Sequence, residues 1–154
     1  MNLQEKLQTL GYELPQAAAP AANYVPYVIA DDDMLYIAGQ IPFLNGEKMH
    51  LGRVGEDLSL EQGVEAAQAC ALNILAQANA AVGDDWSKIK RLVKLGGFVN
   101  CTPDFYDHPK VINGASDLMV KVMGEAGKHA RFAVGAPSLP LGVAVEIDAI
   151  FELV

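Results

Sequence analysis

The chain has 154 residues, of which 51% are hydrophobic, and its formal net charge at pH 7 is −8. This length and composition suit one domain with a real core and exclude a disordered chain. An acidic chain with no Lys/Arg run binds phosphate backbones poorly, so we expect no binding to nucleic acid. The sequence has no apolar run long enough to span a bilayer and no signal-peptide pattern, so we expect a cytoplasmic protein that does not bind membranes.

The first predicted element is a short N-terminal helix. Asn2 and Glu5 have the spacing of a capping box, leucines follow at helical spacing, and Gly11 ends the helix. The next segment, residues 13–23, is rich in Pro and Ala and predicts an extended connection. We therefore divide the chain into a helical and extended leader, residues 1–19, and a single domain, residues 20–154.

A β-hairpin is predicted next. Residues 24–29 are largely β-branched or aromatic, and Pro26 among them favours an edge strand. The acidic run 31–33 predicts a solvated turn, and residues 34–38 predict the second strand.

The chain then turns before its first long helix. Residues 39–42 stop or bend the strand, and Asn45-Gly46 is a turn signal. Ser59 and Gln62 form a second capping box, which opens a helix that Gly83 closes. The apolar face of this helix is rich in Ala, which lets it lie close against a sheet.

The second half repeats the pattern of strand followed by helix. Residues 91–99 predict a strand, in which Gly96-Gly97 indicates a bulge or a close backbone approach. Pro109 suits the first turn of a second long helix. Two further strands are predicted at 131–136 and 143–153.

This order of elements predicts an α/β (α+β) fold, a mixed sheet with two long helices on one face. In the last strand one side is apolar, whereas the other carries Ala144, Glu146, Asp148 and Ile150. A partly apolar sheet face without helices is usually buried against another subunit, so we expect a homo-oligomer.

Two charges of opposite sign lie among apolar residues of the tail, Arg131 and Glu146. An unpaired buried charge is costly, and a guanidinium is suited to a carboxylate. Two interpretations stay open. The residues form a structural ion pair across adjacent strands, or Arg131 lines a small, partly dry pocket for a carboxylated molecule with Glu146 as a second functional group.

The thiols and imidazoles give little sign of a metal site. Cys70 and Cys101 are the only cysteines, and the histidines are scattered without zinc spacing. We therefore expect no metal and no cofactor. Cys101, at a strand end, is either an ordinary thiol or an exposed and reactive one.

Several motifs together resemble the Rid (YjgF, L-PSP) family. In residues 36–42, Tyr-Ile-Ala-Gly-Gln-Ile-Pro, members commonly have a hydrophobic pair and then Ser-Gly-Gln-hydrophobic-Pro. The tail, with Arg131, Leu-Pro140 and Val-Glu146-Ile, has the family's spacing, and the resemblance runs from about Pro20 to the C-terminus. Further matches are Gln62, Asn73, Asp104, Phe105 and Asn113.

The resemblance implies a homotrimer with the chorismate-mutase-like fold of the bacillus type and a site between subunits. It implies an enamine/imine deaminase that converts reactive 2-enamino acids, such as 2-aminoacrylate, to 2-keto acids and ammonia. Arg131 would clamp the substrate carboxylate, and Glu146 would orient or activate the attacking water. Asn113 and Tyr27 would line the cleft, with Tyr24 as an alternative to Tyr27.

The chain departs from the family at positions expected to bind substrate. The family's Ser is Ala38 here, beside Gly39, and the hydroxyl-and-thiol pair that often follows the Arg is Phe132-Ala133. These changes remove polar contacts from the expected site. A non-catalytic trimeric binder or sensor of small carboxylates, such as 2-keto acids, therefore stays an alternative, and the acidic charge disfavours an endoribonuclease.

Overall fold

A computed structural model describes residues 1–20 and 22–154, and this part of the chain forms three α-helices and seven strands. The helices are α1 (Leu3–Thr9), α2 (Leu60–Ala81) and α3 (His108–Met123). The strands are β1 (Tyr27–Ile29), β2 (Met34–Gln40), β3 (Phe43–Leu44), β4 (Glu47–Lys48), β5 (Ile89–Asn100), β6 (Ala130–Ala136) and β7 (Val145–Leu153).

Five strands form one mixed sheet in the spatial order β1-β2-β7-β5-β6. β5 and β6 are parallel, and the other neighbours are antiparallel. β3 and β4 form a separate hairpin, in which Asn45 and Gly46 both adopt positive φ, as a tight two-residue turn requires. The mixed sheet, the edge position of β1 and the Asn-Gly turn are confirmed.

The two faces of the sheet differ, as predicted. α2 packs against β7 and β2 and α3 against β5 and β6, over buried residues such as Ile147 and Phe151. The opposite side of the sheet, here called the open face, includes Tyr36, Phe98 and Phe132. Tyr36 is 44% exposed and Phe98 40% exposed, so this face leaves large apolar groups in water.

α2 is buried on more than the one face that packs against the sheet. Leu3 and Leu7 of α1 belong to the same core cluster as α2. The amides of Gln68 and Gln77 donate to the Tyr12 hydroxyl and the Ala18 carbonyl oxygen. The N-terminal segment therefore covers the side of α2 that turns away from the sheet. Among the described residues, neither long helix has the length and hydropathy needed to cross a bilayer.

The glycine pair in β5 leaves room for neighbouring side chains, and neither the predicted bulge nor the predicted close backbone approach is found there. A Cβ on Gly97 would lie 2.7 Å from Cδ1 of Ile112 on α3, and one on Gly96 would lie 2.7 Å from the Phe132 ring. The pairing with β7 is regular at both glycines, and its irregularities lie between Ile89 and Lys94. β1 is also shorter than predicted, since it begins only after Pro26.

Candidate functional site

Arg131 lies on the edge strand β6, and its guanidinium reaches α3. Nη1 donates to Oγ of Ser116 at 3.1 Å, and Nη2 donates to the backbone oxygen of Pro109 at 3.2 Å. Within residues 1–20 and 22–154 no carboxylate forms an ion pair with it. The guanidinium is therefore held by neutral acceptors. Because no carboxylate of the described residues is paired with it, its positive charge can pair with an anion from outside the chain.

A shallow depression of about 270 Å³ surrounds Arg131. Asn113 and Ser116 line it from α3, and His129 lines it from the segment before β6. Asn113 is exposed, and its spacing from Ser116 places both on one side of the helix. The structure therefore brings together two of the predicted site residues, Arg131 and Asn113.

Glu146 lies in a different and more enclosed place, near the start of β7. It lines a cavity of about 460 Å³ together with Tyr24, Gly39, Asn73 and Leu141. Burial, and secondarily the negative charge of Asp148, raises the pKa of Glu146. A carboxyl group with a raised pKa is suited to taking and returning a proton near neutral pH.

Gly39 is required by the position of the Glu146 carboxylate. A Cβ on residue 39 would lie 2.9 Å from Oε2 of Glu146, closer than real contacts allow. Gly39 is not among the residues with positive φ, so space and not backbone freedom is what the glycine provides. The motif at residues 36–42 thus places a residue without a side chain directly against the predicted catalytic carboxylate.

Asn73 holds the end of that motif in place. Its Nδ2 donates to the backbone oxygens of Ile41 at 2.9 Å and Phe43 at 2.6 Å. The side chain is buried in α2 and lines the Glu146 cavity. Asn73 was identified from the sequence only as a family match, because α2 contains several polar residues and two others, Gln77 and Asn79, are also buried.

The other predicted binding residues do not join either group within one chain. Tyr27 packs against the core, and it lines a depression of about 260 Å³ with Ala38. Phe132 lies on the open face, edge-to-face with Phe98 at 5.2 Å, and Ala133 packs against the core. Of the two tyrosines considered, Tyr24 is the one that lines the Glu146 cavity.

The prediction that Arg131 and Glu146 lie on neighbouring strands is wrong, and so is the ion pair across adjacent strands. β5 lies between β6 and β7, because the β5-α3-β6 connection is parallel and places β6 outside β5 at the edge. Arg131 is in register with Leu95, and Glu146 with Phe98. Within one chain Arg131 and Glu146 therefore line two separate hollows.

Ser116 and His129 were not identified from the sequence as functional residues. Oγ of Ser116 and Nε2 of His129 are 2.9 Å apart, and Nδ1 of His129 is 2.6 Å from the backbone oxygen of Gly127. Thirteen positions separate the two residues, so no local motif links them. The available signal was that Ser116 lies one turn after Asn113.

A further cavity, of about 290 Å³, contains Cys101 and His108, whose Sγ and Nε2 atoms are 3.4 Å apart. Cys101 is only 6% exposed, and burial raises the pKa of its thiol. A buried thiol that holds its proton is a weak nucleophile. Of the two interpretations of Cys101, the structure favours the ordinary thiol.

Comparison with known proteins identifies relatives along nearly the whole chain. The family model described as "YjgF/chorismate_mutase-like, putative endoribonuclease" matches residues 4–153. Protein TCP17 of Trypanosoma cruzi is 49% identical over 148 residues, which are 96% of this chain and 91% of that protein. The family match begins within α1, well before Pro20, so the N-terminal segment is part of the shared region.

Solved structures show the same architecture. Protein Atu1372 of Agrobacterium tumefaciens, described as of unknown function, is 47% identical with a TM-score of 0.92, over 99% of this chain and 92% of that one. A structure from Shewanella oneidensis, described as "a putative endoribonuclease", is 35% identical with a TM-score of 0.94, over 99% and 100% of the two chains. RidA of an Antarctic Psychrobacter is more distant, at 26% identity and a TM-score of 0.62 over 89% and 94%.

Proposed function

Because the chain belongs to the YjgF/chorismate-mutase-like (Rid) family, we propose that it is a cytoplasmic enamine/imine deaminase. The proposed reaction converts reactive 2-enamino or 2-imino acids to 2-keto acids and ammonia. The observation that carries the proposal is the partly buried Arg131, which binds only neutral acceptors in the described part of the chain and opens into a depression. A guanidinium in this state suits the carboxylate of such a substrate.

The proposed enzyme is a homotrimer whose sites lie between subunits. Two observations support this assembly: the open face exposes apolar side chains, and the Arg131 depression and the Glu146 cavity lie apart on one chain. In the assembly the depression of one copy faces the cavity of the next. Sedimentation that showed a stable monomer at micromolar concentration would contradict both the trimer and the shared site.

The proposed chemistry divides the work between the two charged residues. Arg131 binds the substrate carboxylate through two parallel hydrogen bonds, and Asn113 at the rim contributes a further polar contact. Ionised Glu146 takes a proton from water as the oxygen attacks the carbon of the protonated imine, which gives a neutral carbinolamine. The same carboxyl group returns that proton to nitrogen, and ammonia leaves as the carbinolamine hydroxyl gives its proton to Glu146 and the carbonyl forms. The raised pKa of Glu146 supports these transfers.

A non-catalytic binder of 2-keto acids is the second candidate. The specific observation in its favour is that Ala38, Phe132 and Ala133 present no polar side chain where the family commonly has hydroxyl and thiol groups. The name endoribonuclease belongs to the family model and to the Shewanella protein. The net charge of −8 argues against phosphate-backbone binding by this chain.

Turnover of freshly generated imines distinguishes the two candidates. A dehydratase would generate 2-aminoacrylate in place, and an amino-acid oxidase would generate bulkier imino acids, with imine loss followed with and without the protein. The deaminase should accelerate imine loss, and the bulkier substrates should be favoured because the site has lost polar groups. If calorimetry shows that pyruvate binds but the protein accelerates the loss of no imine, the deaminase proposal is wrong and the sensor is the better candidate.

A further inference from the structure

A line of hydrogen bonds runs from Arg131 into the protein through two residues outside the proposed chemistry. Nη1 of Arg131 lies 3.1 Å from Oγ of Ser116, and that Oγ lies 2.9 Å from Nε2 of His129. Nδ1 of His129 lies 2.6 Å from the backbone oxygen of Gly127. The line therefore joins β6, α3 and the turn that precedes β6.

Chemistry fixes the direction of every bond in this line. A backbone oxygen only accepts, so Nδ1 of His129 carries a proton and donates it to Gly127. Burial lowers the pKa of His129 and the charge of Arg131 lowers it further, although the bond to Gly127 opposes this. In the neutral ring Nε2 is an acceptor, so the Ser116 hydroxyl donates to it. The hydroxyl oxygen of Ser116 then accepts a hydrogen bond from the Arg131 guanidinium. Hydrogen bonds aligned in this way polarise one another.

The arrangement restrains a side chain that would otherwise be mobile. Arg131 lies on an edge strand, and an unrestrained Arg loses much rotamer freedom when it binds a ligand. Here Ser116 holds one terminal nitrogen and the Pro109 oxygen holds the other. Each terminal nitrogen of a guanidinium bears two N–H groups, so both retain a donor for a carboxylate.

We propose that Ser116 and His129 are positioning residues that fix the guanidinium of Arg131 in the orientation that binds a carboxylate. The proposal rests on the proposed function of Arg131 as the substrate anchor. Neither residue takes part in proton transfer, since the Ser116 hydroxyl is engaged by Arg131 and His129, and both ring nitrogens of His129 have partners within the chain.

Two variants of equal size isolate the hydroxyl. Ser116→Thr keeps the hydroxyl, and Ser116→Val replaces it with a methyl group of similar shape. Ser87→Ala is the control, because it removes a hydroxyl that hydrogen-bonds to Asp85 in the turn before β5. Circular dichroism and sedimentation would confirm that each variant folds and assembles as the wild type does.

The first readout needs no ligand. NMR of the wild type should show His129 as the Nδ1–H form and the Nη protons of Arg131 in slow exchange. Ser116→Val should lose the slow Nη signals, whereas Ser116→Thr and Ser87→Ala should keep them. Unchanged Arg131 signals in Ser116→Val would overturn the proposal whether or not the protein binds any 2-keto acid.

The second readout is calorimetry with pyruvate. Ser116→Val and His129→Ala should each weaken binding roughly tenfold, as expected for losing a hydrogen bond to a charged group, while Ser116→Thr stays within about twofold. In turnover the loss should appear in KM with kcat nearly unchanged, because Glu146 is not disturbed. If Arg131→Ala abolishes binding but Ser116→Val does not weaken it, the positioning role is wrong and the carboxylate site stands. If the wild type binds no 2-keto acid, the proposed function is wrong, and the NMR readout decides the positioning role.

Discussion

The surroundings of Arg131 and of Glu146 differ in polarity and enclosure. Arg131 lies in a shallow depression among polar side chains, where neutral hydrogen-bond acceptors stabilise its charge. Glu146 lies in a deeper cavity lined largely by apolar groups, where burial disfavours its charge. An environment that stabilises a fixed charge suits recognition, and one that makes protonation easy suits proton transfer. In the proposed enzyme the surroundings of Arg131 therefore bind the substrate carboxylate and those of Glu146 carry out proton transfer.

Removing the proton-transfer group should give the largest loss of activity. Glu146→Gln keeps the size of the side chain, but an amide cannot take the proton of the attacking water. We expect kcat for imine hydrolysis to fall by about a hundred- to ten-thousandfold, while calorimetry shows pyruvate binding nearly unchanged. Glu13→Gln, at an exposed position of the N-terminal segment, is the control. Wild-type turnover in Glu146→Gln would remove Glu146 from the mechanism.

Removing the anchor should affect binding first. Arg131→Ala should weaken pyruvate and 2-ketobutyrate binding by roughly a hundredfold, the range for losing one partner of a desolvated charge pair. Arg131→Lys should recover only part of this, because an ammonium makes no two-pronged contact. Lys88→Ala removes an exposed cation from the turn before β5 and should bind as the wild type does. Equal affinity of Arg131→Ala and the wild type would place the carboxylate site elsewhere.

Mixing the two inactive variants tests whether the two regions meet between subunits. In a trimer of Arg131→Ala and Glu146→Gln chains, a site between subunits is intact when one chain supplies Arg131 and the next supplies Glu146. Random assembly from equal amounts makes about a quarter of such sites intact. Unfolding and refolding the mixture should therefore restore about a quarter of wild-type activity, whereas each variant refolded alone stays inactive. No recovery in mixed trimers would place both residues in one subunit or exclude one of them.

A substitution at Gly39, which lies against Glu146, should disturb the surroundings of Glu146 more mildly. Gly39→Ala should displace the carboxylate, because the new Cβ would lie 2.9 Å from Oε2. We expect kcat to fall roughly tenfold to a hundredfold. The free energy of unfolding should fall only slightly, because the atom nearest to the new Cβ is the free end of a flexible side chain that can move aside. Gly83→Ala, where φ is positive and nothing lies near the new Cβ, should cost stability without reducing kcat. A Gly39→Ala enzyme with wild-type kcat would show that the carboxylate position is not critical.

The sequence predicted local structure well because its signals are local. The capping boxes at Asn2 and Ser59 and the turn at Asn45-Gly46 all form as their patterns indicate. The family motifs identified residues on both sides of the site. Strand order was harder to predict, since no pattern in the tail sequence indicates that β5 lies between β6 and β7. The Ser116–His129 contact was missed for the same reason, because it depends on how a helix end returns to the sheet.

The smallest expected effect is a pH-dependent difference in stability between the wild type and Glu146→Gln. Because burial raises the pKa of Glu146, the folded state holds this proton more tightly than the unfolded chain does. In the pH window between the ordinary pKa of a Glu and its raised value here, the folded state binds more protons, so stability falls as pH rises. Above that window the cost of the buried carboxylate is fully present, and below it the cost is absent. Glu146→Gln never ionises, so it should become more stable relative to the wild type as pH rises through this window.

Urea unfolding at fixed protein concentration measures this difference, with Glu13→Gln as the control. Asp148→Asn should reduce the difference without abolishing it, because burial is the larger cause. A difference that did not change with pH would mean that the Glu146 cavity is wetter than the structure indicates, and the contrast between the two regions would lose its electrostatic basis.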